Sequence, residues 1–229
     1  MTDWSVINLH MSSSAKVIEP RWERRKDARP GELVDAALDL FIEKGFAATR
    51  LEDVAKRAGV SKGTLYLYFD SKEDLLKAAI REGYSEPLRH GEQVLATFEG
   101  SSEDLLRMIL RMWWDEVGAT KQAGLTKLVI GESQNFPELA RFYHDEVIQR
   151  AHKLVAAAID RGIRSGEFRP VNLPYAQRVA CAPMVLLMLW KHSFACCVPN
   201  TVDPQEYVNT HADMLVHALK PRKDDAGGK

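Results

Sequence analysis

Apolar residues along this chain recur at the spacing of helix turns, and nowhere alternate long enough to pair two strands. Leu33, Ala36, Ala37, Leu40 and Phe41 fall on one side of a first helix, which Gly45 ends. A short helix opens near Leu51, and a second follows the turn at Gly59, running from Ser61 towards Phe69. From Ser71 a fourth helix carries Leu75, Leu76, Ala79 and Ile80 on its buried face, with Gly83 or Pro87 placed to break or bend it. Ser101-Ser102-Glu103-Asp104 starts another, with Leu106, Ile109, Leu110, Trp113 and Val117 at helical spacing. A shorter helix covers 123–134, and Pro137 opens one whose apolar face runs through Phe142, Ile148, Ala151, Val155, Ile159 and Ile163 to Gly166. Pro174 opens a helix to about Cys196, kinked at Pro183, and Pro204 opens the last, to about Leu219. The pattern predicts an all-α protein: an N-terminal three-helix, helix-turn-helix unit over 30–76 and a larger helical domain over 77–220. An arm over 1–29 and a tail over 221–229 show no sustained period.

The two short helices carry the chemistry. Where they cross, their backbones need a small residue, and Ala55 supplies it; Gly59 tolerates the positive φ of the turn. Val54, Val60 and Leu65 then meet in a miniature core, while Ser61 caps the second helix. That helix exposes Lys62, Gly63, Thr64, Tyr66 and Tyr68: a cation, bare backbone, a hydroxyl and two phenols. Such groups suit phosphates and base edges better than a protein core. An ordinary αα-hairpin with a polar face is the plain alternative, but the small crossing residues and the non-acidic face favour DNA. Thr49 sits where its hydroxyl would cap the next helix and hold a phosphate.

The order Phe41, Gly45-Phe46, Thr49, Ala55, Gly59-Val60, Gly63-Thr64-Leu65-Tyr66, Tyr68-Phe69, Ser71-Lys72-Glu73-Asp74-Leu75 closely resembles the tetracycline-repressor (TetR) family of bacterial regulators. The likeness is specific from Gly31 to Ile80 and architectural beyond. It implies a homodimer whose N-terminal domains read a palindromic operator on double-stranded DNA and whose C-terminal domains dimerise and bind an inducer. Carried to matching positions, it implies that Lys62 and Thr64 touch base edges or adjacent phosphates and that Gly63 lets the helix approach closely. Thr49, Tyr66, Tyr68 and Lys72 would mainly hold phosphates, with Ser61 at the helix start. Glu132 to Leu139 faintly resembles a branch that includes repressors of multidrug efflux. The expected function is a ligand-responsive repressor of efflux or small-molecule metabolism genes. The alternatives are a non-inducible DNA-binding structural protein and an enzyme with a helix-turn-helix appendage.

Charge supports this locally only. The 229 residues carry a formal net charge of −1, yet 50–72 hold five cations against three carboxylates, and 16–29 six against three. The basic arm fits either a solvated tail or a minor-groove contact. Three cysteines, two of them adjacent, describe no disulfide framework and fit a reducing cytoplasm. Cys181 and Cys196, roughly 22 Å apart along one helix, lie beyond bridging distance. All three are expected as small buried residues, with an intersubunit bridge left open. The start of the chain, with Asp3 and no apolar run, does not read as a secretory signal. The apolar run 179–190 is short for a bilayer, so a cytoplasmic protein with no membrane partner is expected.

An apolar inducer wants aromatic walls and thioethers that repack, which nominates Met108, Met112, Trp113, Phe136, Phe142, Met184 and Met188. Helical core wants the same residues. Trp113 and Trp114 point about 100° apart, so at most one lines a given cavity. Val185, Leu186, Leu189, Trp190, Tyr207, Met214, Leu215 and Ala218 fit a dimer seam on the last two helices. The histidines at 144, 152, 192, 211 and 217 form no metal-ligand set, and no phosphate-cradling loop, nucleophile elbow or zinc-protease pair appears. No catalytic residue, metal or cofactor is therefore expected.

Overall fold

A computed structural model describes residues 30–198 and 202–222, so the arm at 1–29 and the tail from 223 lie outside the described residues. Among these the chain is helical throughout, without strands. α1 (Pro30–Lys44) opens on a proline whose φ is already helical and buries Leu33, Ala37, Leu40 and Phe41. α2 (Leu51–Arg57) and α3 (Lys62–Tyr66) follow as short crossing helices. The Ser71 hydroxyl starts α4 (Lys72–Thr97) by accepting the Asp74 amide at 3.0 Å, with Glu73 and Asp74 at the positive end of the dipole. α4 runs unbroken through Gly83 and Pro87, which corrects the expected interruption: Tyr84 and Leu88, buried on either side of Pro87, hold it in register.

α5 (Ser102–Trp113) passes into a π-helical turn, Trp114–Gly118, that periodicity did not show. Its cause is steric. The Trp114 indole lies over Gly118, where an added Cβ would fall 2.2 Å from the ring, and the Ala119 amide reaches back five residues to the Trp114 carbonyl at 2.7 Å. α6 (Ala123–Glu132) comes next. The long helix expected from Pro137 to Gly166 is α7 (Pro137–Tyr143) and α8 (Gln149–Ser165), joined without a break by a second π-turn, His144–Ile148. α9 (Leu173–Ser193) and α10 (Pro204–Leu219) complete the order.

One apolar core runs from α1 through α4 into α6 and α7, and a second joins α5, α8, α9 and α10. The first core ties the helix-turn-helix unit to the rest. Ile42 of α1 seats against Gly124 of α6, where an added Cβ would lie 2.7 Å from it, and Phe46 meets Phe136 edge to face at 4.7 Å. α9 is two-faced. Ala180, Met184, Leu187 and Met188 are buried, whereas Tyr175, Val179, Leu186 and Trp190 are exposed. Its 21 residues are long and apolar enough to cross a bilayer, beyond what the run 179–190 suggested, but its inner face packs on α6 and α8.

Candidate functional site

α3 is held as a rigid projection by a few local contacts. Gly59 turns the chain at φ +71°, the Val60 amide donates to the Ala55 carbonyl at 2.9 Å, and Val54 and Leu65 are fully buried beneath. The Ser61 hydroxyl accepts the Thr64 amide at 3.0 Å and lies 2.8 Å from the Thr64 hydroxyl. Lys62, Gly63, Tyr66, Leu67 and Tyr68 form the outer face, with Thr64 half-buried at its edge. Leu67, at 80% exposure, is the residue that sequence reasoning passed over; its place between two exposed tyrosines was the available signal. Lys62 pairs with Glu52 of α2 and lies 5.6 Å from the centre of the Tyr66 ring. That hydrogen bond holds the Glu52 carboxyl below its ordinary range and raises the Lys62 ammonium, so both are charged at neutral pH.

Gly63 has no explanation inside the chain. An added Cβ would meet nothing nearer than Ser61 Oγ at 3.7 Å, and its φ is not positive. Glycine within a helix costs about 1 kcal/mol against alanine.

A second feature lies among α5 to α9. An apolar cavity of about 80 Å³ is walled by Trp113, Val155, Met184 and Met188, with Thr126, Tyr143, His152 and Cys181 as its hydrogen-bonding side chains. Burial lowers the His152 pKa, helped by Arg178 and His144, and pushes the Cys181 thiol up to about 12. Imidazole and thiol are thus neutral, and no charged side chain lines the space.

Residues 33–79 match the bacterial regulatory proteins of the tetR family, and residues 99–194 match the tetracyclin repressor-like C-terminal domain. The chain belongs to the tetR family. It is a DNA-binding transcriptional regulator. The fatty acid metabolism regulator protein of Bacillus subtilis is 29% identical to this TetR regulator over 146 residues, 63% of this chain and 74% of that protein. The structure of FadR from Bacillus subtilis in complex with stearoyl-CoA aligns with a TM-score of 0.72 at 21% identity, over 83% of this chain and all of that one. The ketosteroid regulator KstR2 of Mycobacterium tuberculosis aligns at 0.66 and 20% identity, over 86% of this chain and 97% of that one. TetR regulators bind DNA operators, dimerise and bind small-molecule ligands.

Two residues expected at phosphates in this TetR regulator have hydrogen-bond partners within the protein. Thr49 is 1% exposed, and its hydroxyl lies 2.7 Å from the Gly45 carbonyl and 3.2 Å from that of Leu40. Arg50, not Thr49, holds the cap position of α2. Lys72 donates to the carbonyls of Phe46 at 2.7 Å and Ala47 at 3.2 Å, and its ammonium lies 4.5 Å from the centre of the Phe46 ring. It clamps the α1–α2 turn onto the start of α4. Lys72→Met is accordingly expected to weaken binding to all DNA sequences without changing its salt dependence, whereas loss of a true phosphate contact lowers the salt slope by about 1. Thr64→Ala, by contrast, is expected to change sequence preference. Titrations of operator variants at several salt concentrations check both.

The residues nominated for a ligand do not all come together. Trp113, Met184 and Met188 line the cavity, but Met108 and Met112 lie in a groove on the outer side of α5. Phe136 packs on Phe46, and Phe142 lies beneath Arg81 of α4, 4.9 Å from ring centre to guanidinium. Residue type alone had nominated these four. The helical phase of Trp113, which shares its face with Ile109 and Leu110, was the better guide. Cys196 and Cys197 are exposed rather than buried, and all three thiols are free. Among the described residues no cluster suited to a metal ion occurs.

Proposed function

We propose that this TetR regulator is a cytoplasmic, ligand-responsive repressor that binds a palindromic operator as a homodimer and releases it when an apolar molecule enters the cavity. The observation that carries DNA reading is the outer face of α3, with a glycine that nothing inside the chain requires. In this reading Lys62 and Thr64 meet base edges, Tyr66 and Tyr68 hold phosphates, and Ser61 fixes the helix start. Leu67 packs on a thymine methyl or sugar. The working division assigns DNA reading to 30–76 and effector binding with dimerisation to 77–220. The exposed apolar stripe of α9, together with Met214 on α10, supports a two-fold interface. Val185 turns to the cavity, and Tyr207 and Leu215 pack on the core, so the seam rests on the outer faces of these helices.

The uncharged cavity favours an inducible regulator over a constitutive structural protein. The stearoyl-CoA held by FadR and the ketosteroids for which KstR2 is named each carry a carbonyl on a large apolar body, which supports lipid-like effectors. Release requires that the effector favour the DNA-incompetent dimer; tight binding alone shifts nothing. The test combines tryptophan emission, which reports occupancy beside Trp113, with operator anisotropy, using acyl thioesters and ketosteroids as probes. A probe that quenches emission and lowers operator affinity is expected. Probes that bind and leave operator affinity unaltered would overturn the inducible reading.

A further inference from the structure

The polar end of the cavity connects to the helix that carries the DNA-reading unit. Tyr143, on α7, lies 2.9 Å from the Thr126 hydroxyl of α6, which lies 2.8 Å from the Tyr84 hydroxyl of α4. Tyr84 in turn donates to the Gln122 carbonyl at 2.9 Å. All three side chains are buried, and the two phenol rings meet edge to face at 5.6 Å. Tyr84 does not touch the cavity, whereas Thr126 and Tyr143 do.

Counting protons gives this chain a direction. A carbonyl only accepts, so the Tyr84 proton points to Gln122. The Tyr84 oxygen then accepts the single Thr126 proton, and the Thr126 oxygen accepts that of Tyr143. The other acceptor near Thr126 is the Met188 thioether at 3.8 Å, a weak one. Burial raises the pKa of both phenols, so their protons stay in place at neutral pH. The chain thus ends at the cavity in a phenol whose proton is already committed and whose oxygen has only lone pairs to offer.

Two ligand chemistries then have different consequences. A hydroxyl donates to the Tyr143 oxygen and leaves every link intact. A carbonyl has no proton, and leaving it unpaired in an apolar cavity is costly. Beside Tyr143 it is satisfied only by taking a proton out of the chain: that of Tyr143, which leaves the Thr126–Tyr84 link standing, or that of Thr126, which breaks it. We propose that the effector is a neutral, apolar molecule whose buried carbonyl is recognised by Tyr143 and Thr126 and which frees the operator by drawing the Thr126 hydroxyl away from Tyr84. This rests on the cavity being the effector site. His152 and Cys181 also line the space, and a carbonyl bound to either leaves the chain untouched, so it gives occupancy without release.

The test uses methyl ketones of about eight to twelve carbons, each paired with the secondary alcohol of the same skeleton, sized for a cavity that swells by repacking its methionines. Both members should quench tryptophan emission. The ketone should lower operator affinity by ~10-fold, within the usual range of allosteric coupling, and the alcohol by less than about twofold. Tyr84→Phe and Thr126→Val should bind ketone yet show the low operator affinity without it and respond no further. Thr126→Ser, which keeps the proton chain, should retain the ketone response. Should the valine and phenylalanine variants lose their helical circular dichroism, the ketone–alcohol contrast in the unaltered protein decides alone. Equal release by ketone and alcohol, or an unchanged ketone response in Thr126→Val, would overturn the proposal while leaving the cavity reading standing. No change in emission with any probe would overturn both.

Discussion

Gly63→Leu should abolish operator binding while leaving the protein as stable as before, or more so. The position is exposed and helical, φ is not positive, and the nearest atom to an added Cβ is the Ser61 hydroxyl oxygen at 3.7 Å. Leucine in a helix is favoured over glycine by somewhat under 1 kcal/mol, so the melting temperature should hold or rise. At the operator, however, an isobutyl group would stand between the α3 backbone and the floor of the major groove. A loss of ~100-fold or more, about 2.7 kcal/mol, is expected for each operator tested. Thermal melts and anisotropy titrations read the two effects separately. Unchanged affinity would mean that α3 does not enter the groove.

Leu186→Glu should convert the dimer to a monomer and remove operator binding with it. Leu186 is 55% exposed on the outer face of α9, in line with Val179 and Trp190, and touches neither the cavity nor the cores. Burying such side chains contributes roughly 1.5–3 kcal/mol each. Across a two-fold axis every substitution appears twice, so two carboxylates would have to be buried without a cation opposite them. A lone subunit then contacts one half-site and forfeits the joint binding of two. Light scattering at micromolar concentration and operator titration check this together. A persistent dimer with normal DNA binding would place the interface elsewhere.

The helix-turn-helix was legible because its determinants are local. Ser61 and Ser71 cap the helices that follow them, Gly59 adopts the positive φ of its turn, and Val54 and Leu65 are buried. The partners of Thr49 and Lys72 within the protein were not legible, because they are the Leu40 carbonyl and carbonyls of the Gly45–Ala47 turn, and periodicity says nothing of where carbonyls point. The cavity wall was only partly legible for a different reason. Met and aromatic residues serve core and pocket alike, so type did not separate Met184 from Met108. The π-turns at Trp114 and His144 add a further shift of helical phase. Thr126 and Tyr143 carried no signal in the sequence; the turn between α6 and α7 brings them to Tyr84 on α4, 42 residues from Thr126.

In the proposed function, α3 of two subunits reads a two-fold symmetric site. Hydroxyl-radical footprinting of the full-length protein on the intergenic DNA beside its own gene tests it most directly. Protection should be symmetric about one centre, with half-sites in successive major grooves on one face of the duplex. The pattern should be lost in Lys62→Ala with Tyr66→Phe. Protection that is asymmetric, or that spreads along the DNA regardless of sequence, would contradict it.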